Sequence, residues 1–469
     1  MCIDEKVSYS LDYQKNFVIE NYNYSKSLAN FFPGIAGRTG IPLWTYYVNR
    51  GQGVCSMGVK NKDHQIMEFL SFNKAVQVVE SQGFRTFLKK SDGGIWEPFR
   101  KIGASVRQKM YISSHKLIIE DTDEAGELKI RVRYFQLPGE KIPALIRKVE
   151  IKNISGKDIK TELADGLARM LPYGVDRRGV NVIPRHIEGL MKVYDRGGIP
   201  LYRLKINPED KPEIERLAGN NFYFTLDARN NEILKDSYLA DPYTLFKNTK
   251  NYDYPYNFKE KSVSNLLSGK EIRKNRTPTA FTAMTKEIKA GESLEFYSVI
   301  GYAPEVKLFD EFVERSASES YFIKKEKELA GIIGEVKDNI LTVSEDDRFN
   351  EYARQTFMDN VLRGGMPVVF ETAEGKEAFY LYSRQNGDLE RDYHDFVIEP
   401  TYYSQGNGHY RCIIQNRRMD NFFVPEIKDA NIRFFLNAMQ TDGYNPIEVR
   451  STTYTISDRE GFNNWLEKN

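Results

Sequence analysis

A change of hydrophobic period near Pro304 constrains the fold more than any other feature of the chain. From about residue 10 to 303, apolar residues alternate in short runs separated by turns; beyond it they recur at helical spacing. The first period fits one face of a strand and the second fits one stripe of a helix. Ile130–Gln136 and Ala144–Ile151 both alternate. Pro138-Gly139 follows the first and Asn153–Lys157 follows the second, and both are turn compositions. Phe281–Ile288, Ala290-Gly291 and Ser293–Tyr302 read as a closing hairpin. About 300 residues of such strands predict a large β-sandwich, with no sequence repeat. The segment Asn220–Asn275 mixes Asn, Lys, Asp and Tyr with little periodicity, and reads as long loops within the sandwich.

Past Pro304, Val306, Phe309, Phe312 and Val313 follow helical spacing. Tyr321, Lys325 and Leu329 then share one face of a charged helix running to about Val336. Another helix is predicted from Glu345, with Ser344 and Asp347 as a capping box. Phe349, Tyr352, Ala353, Phe357 and Val361 would form its apolar face, and Gly364 its stop. Residues 364–424 read as irregular and polar. Pro425 opens a helix with Ile427, Ile432, Phe435, Leu436 and Met439 inward, ending at Gly443. Ser457 and Glu460 cap a last helix carrying Phe462, Trp465 and Leu466. Short amphipathic helices need partners. Two readings follow: the opening of an all-helical domain, or a terminal helix docked on the body already present.

The 67 basic and 66 acidic residues leave a net charge of +1, which argues for neither a nucleic acid nor an anionic membrane as partner. A neutral ligand such as a sugar fits better. Cys2, Cys55 and Cys412 are too few and too scattered for a disulfide framework or a zinc site. Met1–Tyr13 has no apolar signal core, and no apolar run approaches the roughly 20 residues of a membrane span. These features predict a cytoplasmic protein. Aromatics reach 13%; they serve either as strand faces or as platforms for sugar rings.

Three stretches combine polar side chains with glycine. Phe32–Gly58 holds the turn Arg50-Gly51-Gln52-Gly53 and matches no phosphate-cradling loop; it reads as a hairpin corner or as a site. Gly387–Phe396 (GDLERDYHDF) packs acids without the spacing of a calcium loop. Thr401–Arg418 (TYYSQGNGHYRCIIQNRR) joins Tyr402, Tyr403 and Tyr410 to amides and guanidinium groups, the mix that sugar hydroxyls require. It reads as a ligand loop, with a strained structural turn as the alternative. Among the five histidines, His115 and His186 fall in strand-like surroundings, and His394 and His409 lie near the polar loops. None completes a Ser-His-Asp or Cys-His arrangement.

Asn16–Tyr24, followed by PGIAG, GIPLW and YVNRGQG, resembles the N-terminal region of large bacterial β-glucan and oligosaccharide phosphorylases. These are similar to cellobiose phosphorylase, and the β-1,3-glucan phosphorylase type matches best. Arg363-Gly364-Gly365 with Pro367, GDLERDY, YYSQGNGHYR, QNRR and DGYNP at 442–446 extend the resemblance over nearly the whole chain. It implies an N-terminal β-sandwich (a supersandwich) over 1–303, a helical linker over 304–343, and the start of an (α/α)6 catalytic barrel over 344–469, truncated before its end.

The implied reaction is phosphorolysis with inversion. One carboxylic acid protonates the glycosidic oxygen while inorganic phosphate attacks the anomeric carbon from the opposite face, giving α-glucose 1-phosphate. No cofactor is implied; phosphate is the co-substrate and a β-gluco-oligosaccharide the substrate. The resemblance places the catalytic acid beyond Asn469. It assigns Gln405, Asn407, Tyr410, Arg411, Cys412, Gln415 and Arg417 to sugar contact. Where the family usually reads Arg-Asp, this chain reads Arg411-Cys412, and a thiol cannot accept two hydroxyl hydrogen bonds as a carboxylate does. The protein partner is either a second copy or a complementary C-terminal chain. Two rivals remain: a non-catalytic sugar-binding or scaffold protein derived from this family, and an inverting hydrolase on the same architecture.

Overall fold

Two antiparallel sheets bury the apolar sides of the alternating strands against one another. The computed structural model describes all residues except 1–6, 91–92, 102–106, 210–211, 250, 373–374, 388, 390–394, 451–455, 457 and 469. The strands that position the sites are β1 (Ser8–Leu11), β2 (Phe17–Glu20), β3 (Phe84–Lys89), β4 (Ala144–Asn153), β5 (Ile159–Leu167), β6 (Asn220–Asp227), β7 (Ala280–Ile288) and β8 (Ser293–Ala303). The larger sheet has eleven strands, with β1 at one edge and β8 between β4 and β6; the smaller has five, with β5 between β7 and β3. Val149, Leu163, Met284 and Phe296 meet in the shared core. A further four-stranded sheet contains the hairpin Trp44–Val48 and Val54–Gly58, closed by the Arg50–Gly53 turn.

Several sequence expectations need correction. β7 and β8 do not form a hairpin with each other: β7 pairs with β5 and β8 pairs with β4. Each tight turn carries the chain from one sheet to the other, and alternation within a strand cannot distinguish that arch from a hairpin. Asn153 pins the two arches together. Its amide nitrogen donates to the Glu292 carbonyl at 2.9 Å, and its side chain donates to the carbonyls of Lys157 (2.7 Å) and Ile288 (2.9 Å). The segment 220–275 is not all loop, because it contains β6, a central strand buried on both faces. A strand buried on both faces loses its polar alternation.

The outer face of the large sheet is covered by α1 (Val306–Arg315) and α2 (Glu319–Lys337). Phe309 packs on Phe222 and Phe322 stacks on Tyr297. Lys325 is buried, bonded to the Pro138 carbonyl at 3.0 Å and paired with Glu140 at 3.1 Å. The next helix, α3 (Asp347–Gly364), is capped by Asp346 and not by Ser344; the Asp346 carboxylate accepts from the Arg348 amide at 2.9 Å. Only Phe357, Met358, Val361 and Leu362 bury its apolar face, while Phe349 and Tyr352 remain exposed. The stripe splits because the first turns of α3 overhang the β1–β2 edge.

The stretch 364–424 is more regular than its composition suggests. It holds the hairpin β9 (Met366–Thr372) and β10 (Gly375–Leu381), then α4 (Tyr410–Arg417). Of the helix expected after Pro425, Ile427 and Phe435 are buried, but Ile432, Leu436 and Met439 are exposed; α5 spans Ala430–Asn437. The last helix, α6 (Arg459–Lys468), buries none of its residues, and Phe462 stacks on Trp465. Ser457, its expected cap, and most of Asp388–His394 lie outside the described residues. The described helices of 344–469 form no barrel.

Candidate functional site

α4 exists because Tyr410 and Ile413 bury one side against Phe435 and Val449. Its opposite side faces α3. Across that cleft Cys412, Gln415 and Asn416 of α4 meet Asp359, Asn360 and Arg363 of α3 around a cavity of about 350 Å³. Asp359 and Arg363 pair at 2.9 Å. The Asn416 amide is turned back onto the Cys412 carbonyl at 2.7 Å, whereas Gln415 is exposed. The lining therefore offers amide, guanidinium and carboxylate groups in one place, which suits a ligand rich in hydroxyls.

The sequence-assigned residues do not all share this cleft. Arg411 is exposed on α4 and Cys412 is partly exposed in the lining. Asn407 donates to Glu448 at 2.5 Å, in the short ladder that joins His409 to Glu448. Gln405 is half-buried just before Gly406, whose amide donates to the Ser383 carbonyl at 2.7 Å. Tyr410 is buried edge-on against Phe435 at 5.6 Å. Arg417 is buried: its Nε donates to the Gly364 carbonyl at 2.7 Å, and its guanidinium lies 3.4 Å from the centre of the Tyr380 ring. Burial pushes its pKa down to about 10, against the pull of Tyr380 and Asp420. Arg417 thus satisfies the end of α3, and Tyr410 anchors α4. The exposed Tyr402 and Tyr403 sit on a 3-10 turn beside the cleft-bearing segment.

A polar cluster behind the cleft was not legible in the sequence. A second chamber of about 140 Å³ shares Asn360, Asn416 and Met419 with the first and reaches Asp420. The Tyr380 hydroxyl lies 2.9 Å from Asp420 Oδ2 and 2.8 Å from Asn431 Oδ1. One phenolic hydrogen serves one of these oxygens at a time, and the Asn431 amide adds a longer contact to Asp420 Oδ2 at 3.3 Å. Burial raises the Asp420 pKa to about 6, opposed by the Tyr380 hydrogen bond and the Arg417 charge. Tyr380, Asp420 and Asn431 stand 11 to 51 positions apart, and no local pattern connects them.

The turn Arg50–Gly53 is occupied by the fold itself. Arg50 donates to the Ser25 carbonyl at 2.8 Å and Gln52 lies in the buried core of the sandwich. Cys55 is buried, and burial pushes its thiol up to about 12. Among the described residues no helix is long and apolar enough to cross a membrane, and no group of three or more His, Cys, Asp or Glu side chains could hold a metal.

No family model and no curated protein matches the sequence. Comparison with solved structures finds distant similarities. A bacterial glucoamylase complexed with acarbose aligns at 10% identity over 91% of this chain and 52% of its own, with a TM-score of 0.40. A protein assigned as a kojibiose phosphorylase, from the human microbiome, aligns at 8% identity over 76% of this chain and 33% of its own, with a TM-score of 0.28. A galactose mutarotase-like protein of Clostridium acetobutylicum aligns at 8% identity over 64% of this chain and 98% of its own, with a TM-score of 0.29. The chain thus spans about half the length of the glucoamylase and a third of the kojibiose phosphorylase.

Proposed function

We propose that this chain supplies sugar recognition to an inverting glycoside phosphorylase acting on β-glucosidic oligosaccharides, with inorganic phosphate as co-substrate and α-glucose 1-phosphate as product. The observation that carries this reading is the α3–α4 cleft. Cys412 and Gln415, two of the residues that the phosphorylase resemblance assigns to sugar contact, line it together with an ion pair and two further amides. In the proposed reaction the cleft holds the glycone sugar by hydrogen bonds to its hydroxyls. Phosphate then displaces the protonated leaving group from the opposite face. No described residue is assigned as the acid.

Calorimetry with cellobiose and laminaribiose tests the binding step. The intact chain should bind at least one, and Gln415→Ala should weaken that binding by about tenfold, the value of one or two hydrogen bonds. Unchanged affinity in that variant, or no binding by the intact chain, would remove the reading. A non-catalytic sugar-binding protein is the second reading, and Cys412 in place of the usual carboxylate favours it. Binding of either disaccharide without release of α-glucose 1-phosphate in the presence of phosphate, by the whole natural protein, would decide for that alternative.

A further inference from the structure

A groove of about 1250 Å³ runs between the β1–β2 edge of the large sheet and the helices α2 and α3. It lies on the other side of α3 from the cleft, and Asp359 borders both. Asn16, Phe17, Pro33 and Tyr47, from the N-terminal motifs, contribute to its lining. On its sheet wall Tyr9 and Phe17 stack on each other, ring centres 5.9 Å apart and planes within 11°. Their exposures are 52% and 39%, so both rings keep a free surface. Tyr352 on α3 lines the same groove and is 69% exposed. Large aromatic rings left open on two walls of a cavity are costly to hydrate and gain by stacking.

Two contacts link the walls of the groove. Lys15 at the β1–β2 turn pairs with Asp347 at the start of α3. Ser114 donates to the Gln355 side-chain oxygen at 2.9 Å. These two contacts tie the sheet edge to α3 along the groove.

Its charges cancel locally. Lys337 pairs with Glu351 at 3.1 Å, and Glu351 also takes Arg354 at 3.3 Å. Arg348 pairs with Asp346 at 2.8 Å, Lys116 with Glu326 at 3.6 Å, and Asp359 with Arg363 at 2.9 Å. His115 completes the lining; burial and the neighbouring Lys116 hold it neutral, with a pKa pushed down to about 4. Among the described residues every charged group of the lining has an oppositely charged partner, so a charged ligand gains little here. Amides, hydroxyls and aromatic faces remain, and a neutral polyhydroxylated chain matches that lining.

We infer that this groove binds a neutral oligosaccharide at a site distinct from the α3–α4 cleft, with Tyr9, Phe17 and Tyr352 as stacking surfaces. The inference stands on the lining of the groove and does not depend on the cleft's reading. The probes are cellotetraose and laminaritetraose, titrated calorimetrically into the full chain, with tetragalacturonate as the anionic comparison. One of the neutral tetraoses should bind. Tyr9→Ala and Tyr352→Ala should each weaken it roughly three- to tenfold, the range of one aromatic contact. Tyr352→Phe keeps the ring and should restore binding, which separates stacking from any loss of folding. Gln415→Ala should leave this component unchanged. Three results would each overturn the inference: no binding of either tetraose, equal binding by both alanine variants and wild type, or tighter binding of tetragalacturonate. If Gln415→Ala weakens binding while the tyrosine variants do not, the cleft binds sugar and the groove does not. The reverse pattern supports the groove and removes the cleft.

Discussion

Arg147 on β4 and Asp165 on β5 meet at 2.5 Å between the two sheets, with side-chain exposures of 1% and 0%. The pair joins the layers where register sets Arg147 opposite Ser298 and Asp165 opposite Thr86 and Thr282. The remaining polar atoms are satisfied. Arg147 Nη2 donates to Gln52 Oε1 at 2.5 Å, and Thr86 donates to Asp165 Oδ1 at 2.6 Å. A buried pair of this kind repays its desolvation only while both members are present.

Removing one member should therefore cost more than removing both. Arg147→Met or Asp165→Leu alone is expected to lose about 3–5 kcal/mol, and the double variant much less. Urea unfolding of the three variants measures this. Additive losses would show that the two charges do not depend on each other.

Asp420 should give the protein a pH dependence of a definite sign. Its carboxyl titrates at 3.8 when unfolded and about 6 when folded. A raised folded pKa contributes stability that is full below pH 3.8 and is lost as pH rises through about 6. The group should then cost roughly 1–3 kcal/mol above pH 6. Asp420→Asn resembles the protonated acid and should abolish this component. The stability difference between variant and wild type, followed from pH 4 to 7.5, should grow in favour of the variant. A flat difference would contradict a carboxyl whose pKa is raised by burial.

Arg411 and Arg417 share one helix but should behave oppositely. Arg417→Ala removes the donor to the Gly364 carbonyl and should lower stability by about 2–3 kcal/mol. Arg411→Ala alters an exposed position and should change stability by less than about 0.5 kcal/mol. Arg411 lies outside the cleft lining, so a loss of disaccharide binding in Arg411→Ala would support the phosphorylase resemblance that assigns it to sugar contact, and unchanged binding would leave it a surface residue. Thermal unfolding and calorimetry on the same two variants separate the roles.

Cys412→Asp should tighten disaccharide binding. A carboxylate accepts where a thiol scarcely does, and charge-assisted hydrogen bonds contribute about 1.5–3 kcal/mol, or roughly ten- to hundredfold. Arg363, on the facing wall of the cavity, would help to neutralise the added charge. Unchanged affinity would mean that position 412 does not meet the sugar.

The sandwich, the two helices after Pro304 and the end of α3 at Gly364 were legible in the sequence because each depends on local periodicity and local caps. Strand runs such as Ala144–Ile151 bury alternate side chains whatever their partner. Thr401–Arg418 stands out by composition alone, and two of its residues, Cys412 and Gln415, line a cavity.

The partners, and hence the sites, belong to the tertiary structure. Whether β7 and β8 pair with each other or arch between layers depends on β4 and β5, more than a hundred residues earlier. Arg417 looked like a sugar donor by type, but the nearby Gly364 carbonyl and the Tyr380 ring occupy it first. The groove at Tyr9, Phe17 and Tyr352 needs the sheet edge and α3 to approach across more than three hundred residues. A side chain's chemistry is fixed by its type, but its availability depends on which distant groups satisfy it. That competition is settled only when the chain packs.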